Sequence, residues 1–341
     1  IPVFCDSGFV MINPIRKALV KRTGRSSVAS TVALSMGLYI AHCFIPPTPG
    51  PIAAANTLYE GVNLPANLLL VMGFGVLCSI LPLITSYFFA RFIGTKVQSQ
   101  DEIHNPDEVV KTYEEIVAEY GNLPSASLSF APIIIPIVLM GLSSALSMAH
   151  MNNEFITFVG TPIIAIAIGV IFGVILLAVQ DKMSDFSKIT EETLRVTGPI
   201  LFVTAAGGVL GNVIANTTII DFITENSAVL ATLGLLFPFL LASILKTSLG
   251  SSTVAITTTA GILSPMLITL NLASPALVAL TVIAIGAGAM TVSHANDSYF
   301  WVVTNFGELE VEDGYKTQTL GTLLLGVSAI INVYIVYFFV R

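Results

Sequence analysis

Long stretches without a charged residue dominate this chain. Six of them have about the 20 residues that a helix needs to cross roughly 30 Å of hydrocarbon. They cover residues 67–90, 128–149, 155–179, 196–220, 227–245 and 317–340. A seventh run, 28–45, is interrupted only by His42. The pattern predicts an all-α polytopic membrane protein.

Several apolar runs contain residues that a helix interior does not tolerate. Residues 45–51 read IPPTPGP, and their four prolines cannot all be helical, because each lacks an N–H and its ring clashes with the preceding turn. A second break is expected at SHANDSYFW, residues 293–301, after the run 275–293. The segments FCDSGF near the start and KTSLGSSTV around residue 250 are expected at the tips of re-entrant hairpins, the second hairpin being formed by 227–263.

The basic residues predict which linkers share a side of the membrane. Linkers 13–27, 91–127 and 180–195, together with Lys316, hold twelve of the fourteen Lys and Arg residues. The alternating linkers, around Glu60 and Glu154 and over 221–225 and 264–274, hold none. Because short basic loops stay cytoplasmic, the first set is predicted on the cytoplasmic side.

The order of these elements is repeated in opposite membrane orientation, which is the expected build of a secondary transporter with inverted repeats and broken transmembrane helices. Residues 1–93 would end a first repeat, 94–127 form an acidic cytoplasmic linker, and 128–341 form a second repeat. The chain starts at Ile1 rather than Met. If the halves match in length, about 115–120 residues with three spans precede it, giving about 460 residues in all.

Composition excludes some function classes. The chain is 54% hydrophobic and 10% charged, with a net charge of −7. Because the basic residues are confined to loops, nucleic acid is not an expected partner. The three cysteines, Cys5, Cys43 and Cys78, lie in apolar segments and lack metal-ligand spacing, so we interpret them as apolar fillers. No cofactor and no metal are expected.

Ionisable residues at membrane depth gather at the interruptions. Such residues are costly to bury and are functional candidates by default. We assign proton coupling to Asp6, His42, His294 and Asp297. For both histidines, hydrogen bonding across helices is the alternative. Lys246 is interpreted as a partner for a substrate carboxylate, with a structural pair to one of the aspartates as the alternative.

The interruptions also place helix N-termini at membrane depth, and these favour an anion. Glycines allow close backbone approach and hydroxyls supply hydrogen bonds. The predicted substrate-binding residues are Ser7, Gly8, Thr48, Pro49, Gly50, Lys246, Gly250, Ser251, Ser252, Thr253, Asn296 and Ser298. Asn212 and Asn216 are candidate helpers. The alternative for the Ser/Thr-rich run is close packing between helices.

Four separated motifs carry a resemblance to a known family. HCFIPPTPGPIAAA, LKTSLGSSTVAITTTAG, GGVLGNVI and SHANDSYFWVV resemble, in order, the gluconate permease family of gluconate:proton symporters in the ion transporter superfamily. The resemblance implies a multi-pass protein of the bacterial inner membrane that imports a sugar-acid anion with a proton. Gluconate carriers more often have His at Thr48, Arg at Lys246 and Gln at Leu249.

Other functions stay open at this point. Within transport, the alternatives are D-serine or another carboxylate as substrate, and a sodium-coupled symporter or ion antiporter. An intramembrane enzyme would use His42, His294 and Asp297 as metal ligands, but no H-E-x-x-H or nucleophile-elbow motif is present. The expected partners are the lipid bilayer, a small anion and a proton. A homo-oligomer is left open.

Overall fold

The computed structural model describes residues 5–100, 115, 118, 124–148, 153–195 and 232–340. Every regular element in this part of the chain is helical. We number the main helices as follows: α1 Cys5–Thr23, α2 Ser27–Phe44, α3 Pro49–Gly61, α4 Leu68–Ile93, α5 Ala126–Met148, α6 Glu154–Val159, α7 Pro162–Val179, α8 Leu236–Leu249, α9 Ser252–Leu263, α10 Pro275–Ala289, α11 Ser298–Phe306 and α12 Val311–Val340. The all-α membrane fold predicted from the sequence is confirmed.

The chain divides into two units. One combines Ile1–Val110 with Thr204–Arg341 and contains α1–α4 and α8–α12, while the other, Lys111–Val203, contains α5–α7. Three helical stretches of the described residues are long and apolar enough to cross a membrane: Ser27–Gly61, Leu68–Ile93 and Val311–Val340. The run 155–179 does not form one continuous helix, because Gly160 and Thr161 separate α6 from α7. The expected span 196–220 lies outside the described residues.

Both expected breaks are present, with shifted bounds. The first is only Ile45–Thr48, because Pro49 begins α3. The second is longer at its start, since α10 ends at Ala289 and α11 begins at Ser298. Prolines are tolerated in a first helical turn, where their missing N–H is not needed. This explains why part of the proline-rich segment is helical.

Segments that hold or adjoin the basic residues predicted on one side of the membrane contact one another, although the expected linker 13–27 is helical up to Thr23. The Asn13 side chain donates to the Phe306 carbonyl at 3.0 Å, and Lys17 forms an ion pair with Glu308. The backbone N–H of Gln100 donates to the Glu308 carbonyl at 2.8 Å. The second half of α1 and the segments that follow α4 and α11 therefore meet at one end of their unit.

Two linkers predicted on the opposite side also contact one another. The Tyr59 hydroxyl donates to the Pro275 carbonyl at 2.7 Å, and the Ser264 hydroxyl donates to the Thr57 carbonyl at 2.9 Å. The linkers described in this unit therefore separate into the two groups that the basic residues predicted. Which group faces the cytoplasm stays a prediction.

Helix α10 lies in the core of this unit, where every residue from Val278 to Ala289 is buried. Two of its glycines allow neighbouring backbones to approach closely. A Cβ at Gly288 would lie 2.2 Å from the Phe239 carbonyl oxygen of α8, and one at Gly286 would lie 2.5 Å from the Cys43 carbonyl oxygen of α2. The spacing of α10 against α2 and α8 thus depends on these two positions.

We expect Gly288→Ala to lower the free energy of unfolding by about 1–3 kcal/mol, because the added methyl group must push α8 away. Gly37→Ala is the matched control, since nothing lies within 4 Å of a Cβ there. Helical Gly to Ala is neutral or stabilising by about 0.5–1 kcal/mol. Thermal unfolding of the purified protein in detergent measures both, and equal midpoints would contradict the packing argument.

Candidate functional site

The tight turn between α8 and α9 meets the second break. Gly250 has a left-handed φ of 77°, and Ser251 caps α9 by accepting a hydrogen bond from the Val254 N–H at 3.4 Å. A Cβ at Gly250 would lie 2.1 Å from the Asn296 carbonyl oxygen. Glycine is therefore required here both by the backbone conformation and by the close approach of residues 290–297.

A buried ion pair joins these two segments. The Lys246 ammonium lies 2.6 Å from Asp297 Oδ2, and the lysine side chain has no exposed surface. The same ammonium donates to the Gly250 carbonyl at 2.7 Å and lies 5.9 Å from the centroid of the Tyr39 ring. The lysine therefore links the hairpin turn, the second break and α2.

Asp297 is held by several donors besides the lysine. Its Oδ2 accepts hydrogen bonds from the Ser293 hydroxyl at 2.5 Å and the Tyr39 hydroxyl at 3.3 Å. Its Oδ1 accepts from the Tyr299 N–H at 3.1 Å, so the carboxylate also caps α11. These hydrogen bonds and the ammonium offset the cost of removing the carboxylate from water.

The ion pair bears on both interpretations of Lys246. The lysine is bound to Asp297, which is the structural alternative raised from the sequence. Contact with a substrate carboxylate stays a prediction, and it requires this bond to be exchanged.

The first break supplies a helix N-terminus with little side-chain chemistry. Thr48 occupies the N-cap position of α3, but its hydroxyl donates to the Ile45 carbonyl at 2.8 Å. Pro49 is the first helical residue. Gly50 is helical and does not lie in the break; a Cβ there would lie 3.0 Å from Ile256 Cδ1 of α9. Gly50 instead brings α3 close to α9.

The two candidate histidines lie in different environments. His42 is buried near the end of α2, and its Nε2 lies 3.3 Å from the Thr253 hydroxyl in the first turn of α9. His294 is only partly buried, and its Nε2 lies 3.1 Å from the Thr247 carbonyl oxygen. Each histidine contacts a neighbouring segment, which was the alternative to a role in proton transfer. For both, a proton-coupling role stays a prediction.

Asn296 and Ser298 bind protein groups in this conformation. The Asn296 amide donates to the Thr247 carbonyl at 2.8 Å, at the C-terminal end of α8. The Ser298 hydroxyl donates to Asp6 Oδ1 at 3.2 Å. The first turns of α1 and α11 are thereby connected.

The first expected hairpin tip is helical from Cys5 onward, so Asp6, Ser7 and Gly8 lie in the first turn of α1. The Cys5 thiol donates to Asp6 Oδ2 at 3.5 Å. The Ser7 side chain lies outside the described residues, as do Asn212 and Asn216. Of the predicted site, the structure brings together Lys246, Gly250 and Asp297 directly, while Asp6 is linked to them through Ser298.

Sequence reasoning missed Ser293, Tyr39 and Tyr299. A signal was available for Tyr39, because it lies three residues before His42 and so shares its helix face. Ser293 and Tyr299 flank Asp297 at short range, but the sequence does not show which neighbours of a non-helical residue point toward it.

Neither a metal-ligand cluster nor the groove described below provides a second polar site among the described residues. Among the described residues, no group of three or more His, Cys, Asp or Glu side chains could hold a metal ion. A groove of about 790 Å³ in the same unit is lined by Leu236 and α12 residues including Ile330, Tyr334 and Phe338. Its lining is almost wholly apolar and includes neither Lys246 nor Asp297.

Comparisons with known proteins agree with the motifs. The model of the family described as GntP family permease matches residues 1–339. An uncharacterized permease of Haemophilus influenzae is 32% identical over 89% of this chain and 63% of its own length. The gluconate permease of Zymomonas mobilis is 28% identical over 97% and 72%, and the D-serine transporter DsdX of Escherichia coli K12 is 27% identical over 100% and 75%.

This chain therefore spans less than two thirds of the first of these relatives. No solved structure matches it. The resemblance to the gluconate permease family is confirmed, and so is the expected localisation as a multi-pass protein of the inner membrane.

The ion pair predicts a non-additive effect on stability. Lys246→Met should lower the free energy of unfolding by about 3–5 kcal/mol, because it leaves a buried carboxylate without its cation. Adding Asp297→Asn should recover part of this loss, since the charge is removed and Asn still caps α11. Unfolding midpoints of the single and double variants measure the coupling. A double variant as unstable as the sum of the single changes would contradict the prediction.

Proposed function

This chain belongs to the GntP family of permeases, and we propose that it carries the binding core of a secondary transporter. It imports gluconate or a related sugar-acid anion together with a proton by alternating access. The observation that supports this most is the buried Lys246–Asp297 pair at the contact between the hairpin turn and the second break.

Charge balance links the anion to the proton. The pair has no net charge, so a monovalent anion that entered alone would leave a net negative charge at membrane depth, where charge is expensive. A proton taken up by Asp297 restores neutrality. It also frees Lys246, whose ammonium then binds the substrate carboxylate. One proton per monovalent anion follows from this exchange.

The surrounding helix ends suit the rest of such a substrate. The N-termini of α9 and α11 lie close to the pair, since Lys246 binds the Gly250 carbonyl just before α9 and Asp297 caps α11, and both present their positive dipole ends. The hydroxyls of Thr48, Ser252 and Thr253 offer donors and acceptors to a polyhydroxylated chain. Asp6, near Asp297 through Ser298, is a second carboxyl that could accept a proton.

The order of elements supports alternating access. In the repeat over 1–93, α1 is followed by α2, a break, α3 and α4. In the repeat over 128–341, the α8–α9 hairpin is followed by α10, a break, α11 and α12. Inverted repeats with broken helices allow one part to move against the other around a fixed site.

D-serine is a second candidate substrate. The gluconate permease and the D-serine transporter are almost equally similar to this chain, at 28% and 27% identity. D-Serine carries its own ammonium group, which could pair with Asp297 while its carboxylate binds Lys246. Such a zwitterion balances the charge without a proton. The identity of the substrate therefore determines whether a proton must be taken up with it.

We expect purified protein in proteoliposomes to accumulate labelled gluconate when the proton gradient is directed inward. Asp297→Asn should abolish accumulation but keep exchange of labelled for unlabelled gluconate, because Lys246 is then free without protonation. Asp313→Asn is the control, since that aspartate pairs with Lys316 at the surface.

Accumulation that ignores the proton gradient would overturn proton coupling. Accumulation that follows a sodium gradient instead would assign the protein to the sodium-coupled alternative. Competition of labelled gluconate with a panel of sugar acids and D-serine identifies the substrate class.

A further inference from the structure

Polar side chains form a continuous row along one face of α2. They recur at spacings of four, four, four and three residues, which places them on one side of a helix. The row consists of Ser27, Thr31, Ser35, Tyr39 and His42, and all five are buried. Most of α2 is apolar, so this row runs along the inside of a membrane-spanning helix.

Gln318 faces the middle of this row from α12. It lies in the π-helical turn Tyr315–Thr319, and its side chain is fully buried. The Ser35 hydroxyl donates to its Oε1 at 2.7 Å. Its Nε2 finds no partner among the described residues, and neither does the Thr31 hydroxyl one turn away on α2.

Buried polar atoms without a protein partner are usually satisfied by ordered water. A π-turn is also a frequent feature of functional sites, because it redirects a side chain at the expense of regular hydrogen bonding. Two such atoms, one on each helix and close to the same serine, point to a hydration site between α2 and α12.

This site is connected to the central ion pair. The Tyr299 hydroxyl donates to the Ser35 carbonyl at 2.9 Å, and the ring of Tyr299 lies 5.1 Å from that of Tyr39. The Tyr39 hydroxyl in turn donates to Asp297 Oδ2. From Ser27 to Tyr39 the row covers about 18 Å at 1.5 Å per residue.

We propose that Thr31, Ser35 and Gln318 hold ordered water that relays the coupling proton between Asp297 and the end of the molecule where α1 joins α2. This rests on the proposed function. Each transfer breaks one O–H bond and forms another, so Asp297 regains its negative charge and its bond to Lys246 while the proton leaves through water. Asp297 and Lys246 lie at one end of the row, and at the other end lies the buried Arg16, which donates to the hydroxyls of Ser27 and Ser30.

The test separates proton movement from substrate exchange in proteoliposomes. Gln318→Leu should slow gluconate-driven proton uptake, followed with a trapped pH-sensitive dye, by about tenfold or more, because the relaying water loses one of the groups that hold it. Exchange of labelled for unlabelled gluconate should stay close to wild type. Ser35→Ala, a smaller change, should have the same selective effect.

Asn332→Leu is the matched control. This amide lies on α12, as Gln318 does, but it donates to the Leu77 carbonyl of α4 and does not face the polar row of α2. It should leave the ratio of proton uptake to exchange unchanged. The relay is wrong if Ser35→Ala and Gln318→Leu lower exchange and proton uptake equally, or if they leave both unchanged. Wild-type protein without gluconate exchange would instead overturn the proposed function.

Discussion

A lysine with no exposed surface, bound to one aspartate, is the constraint on which the rest of this unit depends. Removing two charges from water costs several kcal/mol per ion, and only good geometry with further hydrogen bonds offsets this. Asp297 receives those bonds from Ser293, Tyr39 and the N–H of Tyr299. Lys246 is completed by the Gly250 carbonyl. The hairpin, the second break and α2 are therefore held in one arrangement by the same pair.

Irregular backbone at membrane depth needs a partner for each polar group, and the second break finds its partners in neighbouring elements. The Ser293 N–H donates to the Thr322 hydroxyl at 2.8 Å, and its carbonyl accepts from the Thr319 hydroxyl at 2.6 Å. On the other side, His294 and Asn296 reach the carbonyl of Thr247. The break is thus fixed between α12 and the hairpin, and displacing it requires several hydrogen bonds to be exchanged together.

The sequence predicted those features of the fold that depend on hydrophobic length and on the steric properties of proline and glycine. The α4 span, the breaks after α2 and α10 and the Gly250 turn follow from uncharged length, proline and glycine. The separation of the linkers followed from counting Lys and Arg. Hydrophobicity did not predict that Gly50 is helical or that Gly160 divides a run, because both depend on close contacts: a Cβ at Gly160 would lie 2.2 Å from Ser143 Cβ.

The candidate site likewise combines features that the sequence predicted with features that it did not predict. The cost of charge in lipid identified Lys246 and Asp297 as candidates. It did not predict their mutual bond, because 51 residues separate them and Asp6 offered an equal alternative. The structure also makes the two breaks chemically unequal. The first presents a helix N-terminus, and the second presents a carboxylate. Under the proposed function, a proton taken up by Asp297 would change the charge at the second break and leave the α3 N-terminus at the first break unaltered.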